Sequence, residues 1–477
     1  MARPRLELVA FAVLAFGVQP AAAEEAIPPW AEAVIARGLQ QKAPSGTLDR
    51  GTLETLRQRG ETLFTGHFTG ADGVGRPFAT QAIVPTKRKR PPQNEFFRSA
   101  GLDANACSGC HNMPVAGGAG EFVTNVFVSE GFESADFESL DPQFSNERGT
   151  NHLFGAGLVE LLSREMTRDL QATRRATLAK ARASGEAVSS ELMTKGVRFG
   201  TITAHPDGML DLTKIDGVDA DLVIRPFTQK GVMTSLRQFT VNALNHHHGI
   251  QAVERFGKRW TGEDDFDGDG VADEIADADI AALVAWQAGL QPPIRSTPED
   301  DEWQKAAERG NAVFDELQCS TCHIRALPLS SLEFADPGPV DMAGTLRNGE
   351  SEADAVYDLS LLEWAKDLPR DEEGNWLVPL FGDLKRHTIA DQEVSAFGNE
   401  LLAQRFVERN VFMTTELWGL ESTAPYGHRN DMTTIDEAIR AHGGEARASR
   451  DAYIAAEEAD RSALIAFLRT LVIGEVE

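Results

Sequence analysis

The chain has 477 residues, with 73 acidic against 46 basic side chains and a formal net charge of −27. Such a surface repels nucleic acid and anionic lipid, so neither is expected as a partner; the charge either favours a locally basic partner or keeps the chain in solution. The length exceeds that of one ordinary domain, and two cores are expected.

Residues 1–23 place Arg3 and Arg5 ahead of an apolar run that ends in small residues, the layout of an export signal cleaved after Ala23. The run is short and is broken by Pro20, so no stable membrane span is expected after cleavage, and the location implied is the periplasm. Residues 59–64 (RGETLF) read as a helix with Leu63 and Phe64 inward. A basic island at 85–92 (PTKRKRPP) reads as a loop or a dock for an acidic partner.

The chain has four cysteines, and all lie in two copies of C-x-x-C-H: Cys107, Cys110 and His111, then Cys319, Cys322 and His323. Cysteines three apart make a strained loop that is a poor staple. A four-thiolate zinc site would leave both histidines unexplained. Covalent haem accounts for all six residues, with two thioether bonds per haem and the histidine as proximal iron ligand. Two haem c groups are therefore expected. The glycine-rich stretch at 115–122 reads as chain lying along the edge of the first haem.

Beyond the first motif, residues 163–187 are charged on most faces and read as an exposed helix. The run at 264–274 (DDFDGDGVADE) spaces acids at 265, 267, 269 and 273 around Gly270, like the start of a calcium loop. Its twelfth position is Ala276, where a bidentate acid is expected, so calcium and a solvated turn remain the two readings.

The chain is internally repeated. Residues 277–290 (DADIAALVAWQAGL) match 458–471 (EADRSALIAFLRTL) at an offset of 181, with six of fourteen positions identical. At the same offset TSLRQF (234–239) matches TELWGL (415–420), and His247 in NHHHG falls opposite His428. RGNAVF (309–314) repeats RGETLF ahead of the second motif. The polar, proline-bearing stretch at 289–300 is the expected boundary, giving segments 24–294 and 295–477.

With these motifs the chain resembles the di-haem cytochrome c peroxidase superfamily, and most closely its di-haem oxidoreductase branch, often labelled thiol oxidoreductases. The phrases that carry the resemblance are HLFGAGLVELL (152–162), LRQFTVNALNHHHGIQAVERFG (236–257) and APYGH with EAIRAHGGEA (424–446). The resemblance implies a mostly α fold: two tandem cytochrome c-like helical domains with long loops and little sheet. It also implies a division of labour. The haem of Cys319 and Cys322 would receive electrons from a small donor protein, a cytochrome or cupredoxin, and the haem of Cys107 and Cys110 would meet a small oxidant such as peroxide. The family's sixth ligand at the C-terminal haem is typically methionine. Here His442 falls in or near that position, with Met432 as its rival, and an imidazole on both faces lowers the reduction potential.

In the peroxidases a tryptophan occupies the first-domain segment between the haems, where this chain has histidines. His247 is the candidate for the distal side of the first haem, as ligand or proton shuttle, with His152 as rival; Glu254 is a candidate general acid. His67, His205 and His387 lie in polar surroundings and read as surface residues. A non-catalytic electron carrier and oxidation of an organic thiol are the alternative functions.

Overall fold

The computed structural model describes residues 32, 35, 43–74, 105–125, 147–340, 349–350, 354–399 and 407–474. The leader and the basic island at 85–92 lie outside these residues. Among the described residues no helix is long and apolar enough to cross a membrane.

The helices in chain order are α1 (Arg50–Thr65), α2 (Ala156–Ser184), α3 (Leu236–Ala243), the single turns α4 (Val253–Phe256) and α5 (Lys258–Thr261), α6 (Asp277–Ala288), α7 (Asp301–Glu316), α8 (Ile435–Arg440), α9 (Arg447–Ala455) and α10 (Glu458–Leu468). Two pairs frame the molecule: α1 packs on α6, and α7 on α10. The pairs are built alike. Gly60 and Gly310 sit at the two crossings, where a Cβ would strike the carbonyl oxygens of Ala282 and Ala463. Arg59 bonds Asp279 at 2.9 Å, and Arg309 bonds Asp460 at 2.8 Å. Phe64 lies against Trp286 and Phe314 against Phe467, with ring centroids 4.3 and 5.6 Å apart. Each partner on α6 recurs 181 residues later on α10, so the sequence repeat is a repeat of packing.

The expectation of a mostly α chain with little sheet is overturned. The fold is 40% helical and 18% strand, with several small sheets. Val188–Thr194, Val197–Ala204 and Leu210–Ile215 form a three-stranded antiparallel sheet. Its first hairpin turns on Lys195 and Gly196, both with positive φ (48° and 80°), the geometry of a tight turn between right-twisted strands. β-Branched residues alternating with polar ones supply the strand pattern, and the stretch falls in the extra residues of the first half, where no repeat draws attention to it.

The helix at 163–187 is not exposed throughout. Leu158, Leu161, Leu162, Met166 and Leu170 of α2 are buried, forming one stripe that runs from the apolar start into the charged stretch. The charges along it are paired: Glu160 with Arg164, and Glu165 with Lys195.

One core, with Phe314, Tyr453, Leu464 and Phe467, belongs to the second half alone, and another draws on both halves. Its buried members include Leu63, Leu162 and Leu283 from the first half and Leu329, Phe334, Tyr357 and Trp418 from the second. Gly46–Thr47, ahead of α1, pairs in parallel with Ala355 and Val356, and Ala355–Asp358 pairs antiparallel with Glu333–Asp336. Ile294–Arg295 pairs with Leu471–Val472.

Candidate haem sites

Both C-x-x-C-H motifs fold the same way. Cys107–Gly109 and Cys319–Thr321 are 3₁₀ turns in which the histidine N–H returns to the first cysteine's carbonyl, at 3.0 Å for His111 and 3.1 Å for His323. The cysteines are unbridged. Burial pushes the thiols up, Cys107 to about 12 and Cys319 to about 11, so neither is a redox-active thiolate of the thioredoxin kind. Among the described residues no metal-capable cluster joins the two cysteine pairs, which removes the four-thiolate zinc arrangement.

The imidazoles are set for iron. His111 Nδ1 lies 3.3 Å from the Gly118 carbonyl, which the glycine-rich stretch brings back under the motif, and His323 Nδ1 lies 3.1 Å from the Phe381 carbonyl. A donor bond from Nδ1–H to a carbonyl fixes the tautomer and leaves Nε2 as the metal-binding nitrogen. Burial lowers both histidines to about 4, so they are neutral, as ligation requires.

The two motifs open onto one cavity of about 480 Å³, lined by His111, His152, His247, His323, His428 and His442 among others. A second cavity of about 80 Å³ lies against Cys107, Cys110 and His111 and shares His247. Repeat-related residues line the large cavity together: Leu236 and Phe239 with Leu417 and Leu420, and His247 with His428.

At the second motif the His323 and His442 rings face each other across 6.5 Å, inclined at 65°. His442 Nδ1 lies 2.8 Å from the Ala438 carbonyl, in the last turn of α8, so its Nε2 is also left for metal. Two imidazoles on opposite sides of one metal atom, each bond about 2 Å, give a ring separation of this size. The residues therefore fit a haem held on both faces. Met432 instead packs with Ala390, Phe397, Phe412 and Ala441 and does not line either cavity.

At the first motif His247 and His248 diverge. They lie on the wide turn Leu244–His248, closed by bonds from the Gly249 and Ile250 N–H groups to the Leu244 carbonyl. Turns of this width recur at functional sites. His248 points to Cys107, with Nε2 3.7 Å from Sγ. His247 lines both cavities beside His111. His152 lines the large one, with Nε2 3.2 Å from the carbonyl of Trp418. Trp418 is itself buried in that wall, so the second half supplies a tryptophan to the cavity onto which both motifs open.

Two expectations are corrected. Glu254 is not brought to either cavity; it is buried against Arg237, with contacts of 2.6 and 3.0 Å, and Arg237 also bonds Asp336 at 2.9 Å. The carboxylate serves there as a buried counter-charge to Arg237. His387 is not a surface residue. It is buried, with Nε2 2.8 Å from Asp383 and Nδ1 2.8 Å from Glu445, and it lines the large cavity beside Cys322. Burial alone lowers its pKa, but the bonds to Asp383 and Cys322 outweigh this and raise it to about 11. Glu416, also missed in the sequence, lines the same cavity, and burial raises it to about 7. The acids of the 264–274 run gather as well: Asp265, Asp267 and Asp269 present ligand oxygens within 4.8 Å of one another.

Paired imidazoles and half-buried C-x-x-C-H turns around one cavity are the features of a haem-binding redox protein. Residues 380–471, which hold His387, Glu416, Trp418, His428 and His442, match the family described as "Di-haem oxidoreductase, putative peroxidase". That match bears out the resemblance to the di-haem oxidoreductases over this C-terminal segment and supports a di-haem redox function. No curated protein matches the chain. One solved structure similar to it is titled "Crystal structure of a MauG-like protein associated with microbial copper homeostasis". It is 16% identical and covers 57% of this chain and 78% of that chain, with a TM-score of 0.27, too low for the likeness to carry an argument.

Proposed function

We propose that the protein is an exported, periplasmic di-haem c-type oxidoreductase of peroxidase type. Cys107 and Cys110 bind one haem, Cys319 and Cys322 the other, with His111 and His323 as proximal ligands. His442 would hold the second haem together with His323, and that haem would then supply electron transfer from a small cytochrome or cupredoxin. The haem held by Cys107, Cys110 and His111 would supply the chemistry with peroxide. The haems supply electron storage and the iron that meets the oxidant. The chain supplies the rest: Gly118 and Phe381 orient the proximal imidazoles, the apolar wall excludes water, and His247 is the titratable group beside His111 that can carry a proton to a reacting oxygen.

The observation that carries this reading is the second site, where His442 faces His323 across 6.5 Å with its Nδ1 held by the Ala438 carbonyl; at the first, His152 and His247 line the cavity wall that His111 also lines. One observation favours a second reading, a non-catalytic electron carrier: His152 and His247 both lie on the cavity wall at the first motif, and either could cap that iron. Electron paramagnetic resonance of the oxidised protein, with optical spectra of the reduced protein under carbon monoxide, separates the two. The enzyme reading expects one low-spin bis-imidazole haem and one haem that takes carbon monoxide. Two low-spin haems that refuse exogenous ligand would leave the carrier.

A further inference from the structure

We propose that Asp265, Asp267 and Asp269, with Glu274 as a further carboxylate, hold a divalent cation of the calcium class, and that this cation braces the turn at 244–252 that precedes α4. The site lies apart from both C-x-x-C-H motifs and outside both cavities.

The carboxylates alternate along the loop, as oxygen ligands wrapping a hard cation do. Several of their oxygens shape the loop itself. Asp265 accepts from the N–H groups of Gly268 and Gly270 at 2.8 and 3.1 Å, and Asp269 from that of Val271 at 2.7 Å. Asp267 differs. It is fully buried, and its Oδ2 accepts no hydrogen bond although the ligand oxygens of all three aspartates lie within 4.8 Å. A buried carboxylate oxygen without a donor is costly unless a cation or proton meets it. After burial, the neighbouring carboxylates of Asp269 and Asp265 raise the Asp267 pKa further, to about 8, and Glu274 is raised by burial and then by Asp267. Ala276, the twelfth loop position, caps α6 and carries no ligand. Glu274, two residues earlier and within electrostatic reach of all three aspartates, is the acid assigned to that place.

Glu274 also carries the connection outward. Its Oε2 accepts from the Gln251 N–H at 2.7 Å, and Val253 N–H bonds the Ile275 carbonyl at 3.1 Å. A cation that fixes Glu274 therefore fixes the chain three to four residues beyond His247 and His248. All-oxygen carboxylate ligation in a flexible loop suits calcium better than magnesium, which demands near-octahedral geometry and keeps its water.

The test uses haem-loaded protein treated with chelator, then titrated with calcium chloride or magnesium chloride. Calcium is expected to bind at one site at least tenfold more tightly than magnesium, to raise the melting temperature by several degrees, and to slow amide exchange across 244–253. Asp267→Asn should abolish the calcium response; Asp265→Asn, a less buried change, should weaken it at least tenfold and decides the matter if the first variant does not fold. No response of the wild type to millimolar calcium, or an undiminished response in both variants, overturns the site. Binding without slower exchange at 244–253 overturns the brace. Neither readout depends on which haem reacts with oxidant.

Discussion

In the proposed reading, His442 is where one side chain decides the state of an iron. Its ring is held by the Ala438 carbonyl and faces His323. His442→Ala is expected to convert the second haem from low to high spin in the paramagnetic resonance spectrum, with added imidazole restoring the low-spin signal. An unchanged spectrum would show that another residue caps that iron. The segment holding His442 depends in turn on Asp391, which accepts from the Val394 N–H at 2.9 Å and the Gly444 N–H at 2.6 Å. These bonds, with Arg447, hold its carboxyl at about 2, below the ordinary 3.8. The folded pKa is depressed, so the stabilisation is present above pH about 4 and is lost as pH falls toward 2. In denaturation series at several pH values, Asp391→Asn should be less stable than wild type at neutral pH, the gap closing between pH 4 and 2. The cysteines and proximal histidines were legible in the sequence because each motif is contiguous. His387 was not, because Glu445, one of its two carboxylate partners, lies 58 residues away.

At the scale of elements, the two helix crossings are the most exacting contacts in the fold. A methyl group at Gly60 or Gly310 has nowhere to go but into a backbone carbonyl. Gly60→Ala and Gly310→Ala should each cost about 1–3 kcal/mol or more. Gly51→Ala, also in α1 but with only the Asp49 side chain near its Cβ position, should be neutral or stabilising by up to about 1 kcal/mol. Equilibrium denaturation reads all three; equal effects would mean the crossings do not set the tolerance. Sequence periodicity located these helices well, since the apolar spacing of α6 and α10 recurs with its identities. The sheet of Val188–Ile215 escaped it because the stretch has no counterpart in the second half, and the long α2 because its buried stripe is hidden among charges paired only in three dimensions.

Across the whole molecule, one buried network ties the halves. Arg237 from the first half bonds Glu254 and reaches Asp336 in the second, and Tyr357 donates to Asp336 at 2.7 Å. Arg237→Met leaves two buried carboxylates facing each other without a cation, and a loss of about 3–5 kcal/mol is expected, with both haem environments melting together in a thermal scan. Glu254→Gln should lower the melting temperature while leaving peroxide turnover per folded molecule unchanged. A collapse of turnover at undiminished stability would return Glu254 to the chemistry. The network was illegible in the sequence, which shows Arg237, Glu254 and Asp336 only as isolated charges.

The parallel pairing of Gly46–Thr47 with Ala355 and Val356 bears on biogenesis. The strand that leads into α1 meets its partner only after roughly 300 further residues have been synthesised, and chains grow at about 5–20 residues per second. If haem is attached covalently as proposed, the assembly apparatus would meet Cys107 and Cys110 on a nascent chain whose wall is unfinished, and Cys319 and Cys322 also emerge ahead of Ala355. A chain terminated near residue 300 should acquire the first haem yet be digested quickly by protease; resistance equal to that of the full chain would show that the late strands are dispensable for closing the first half.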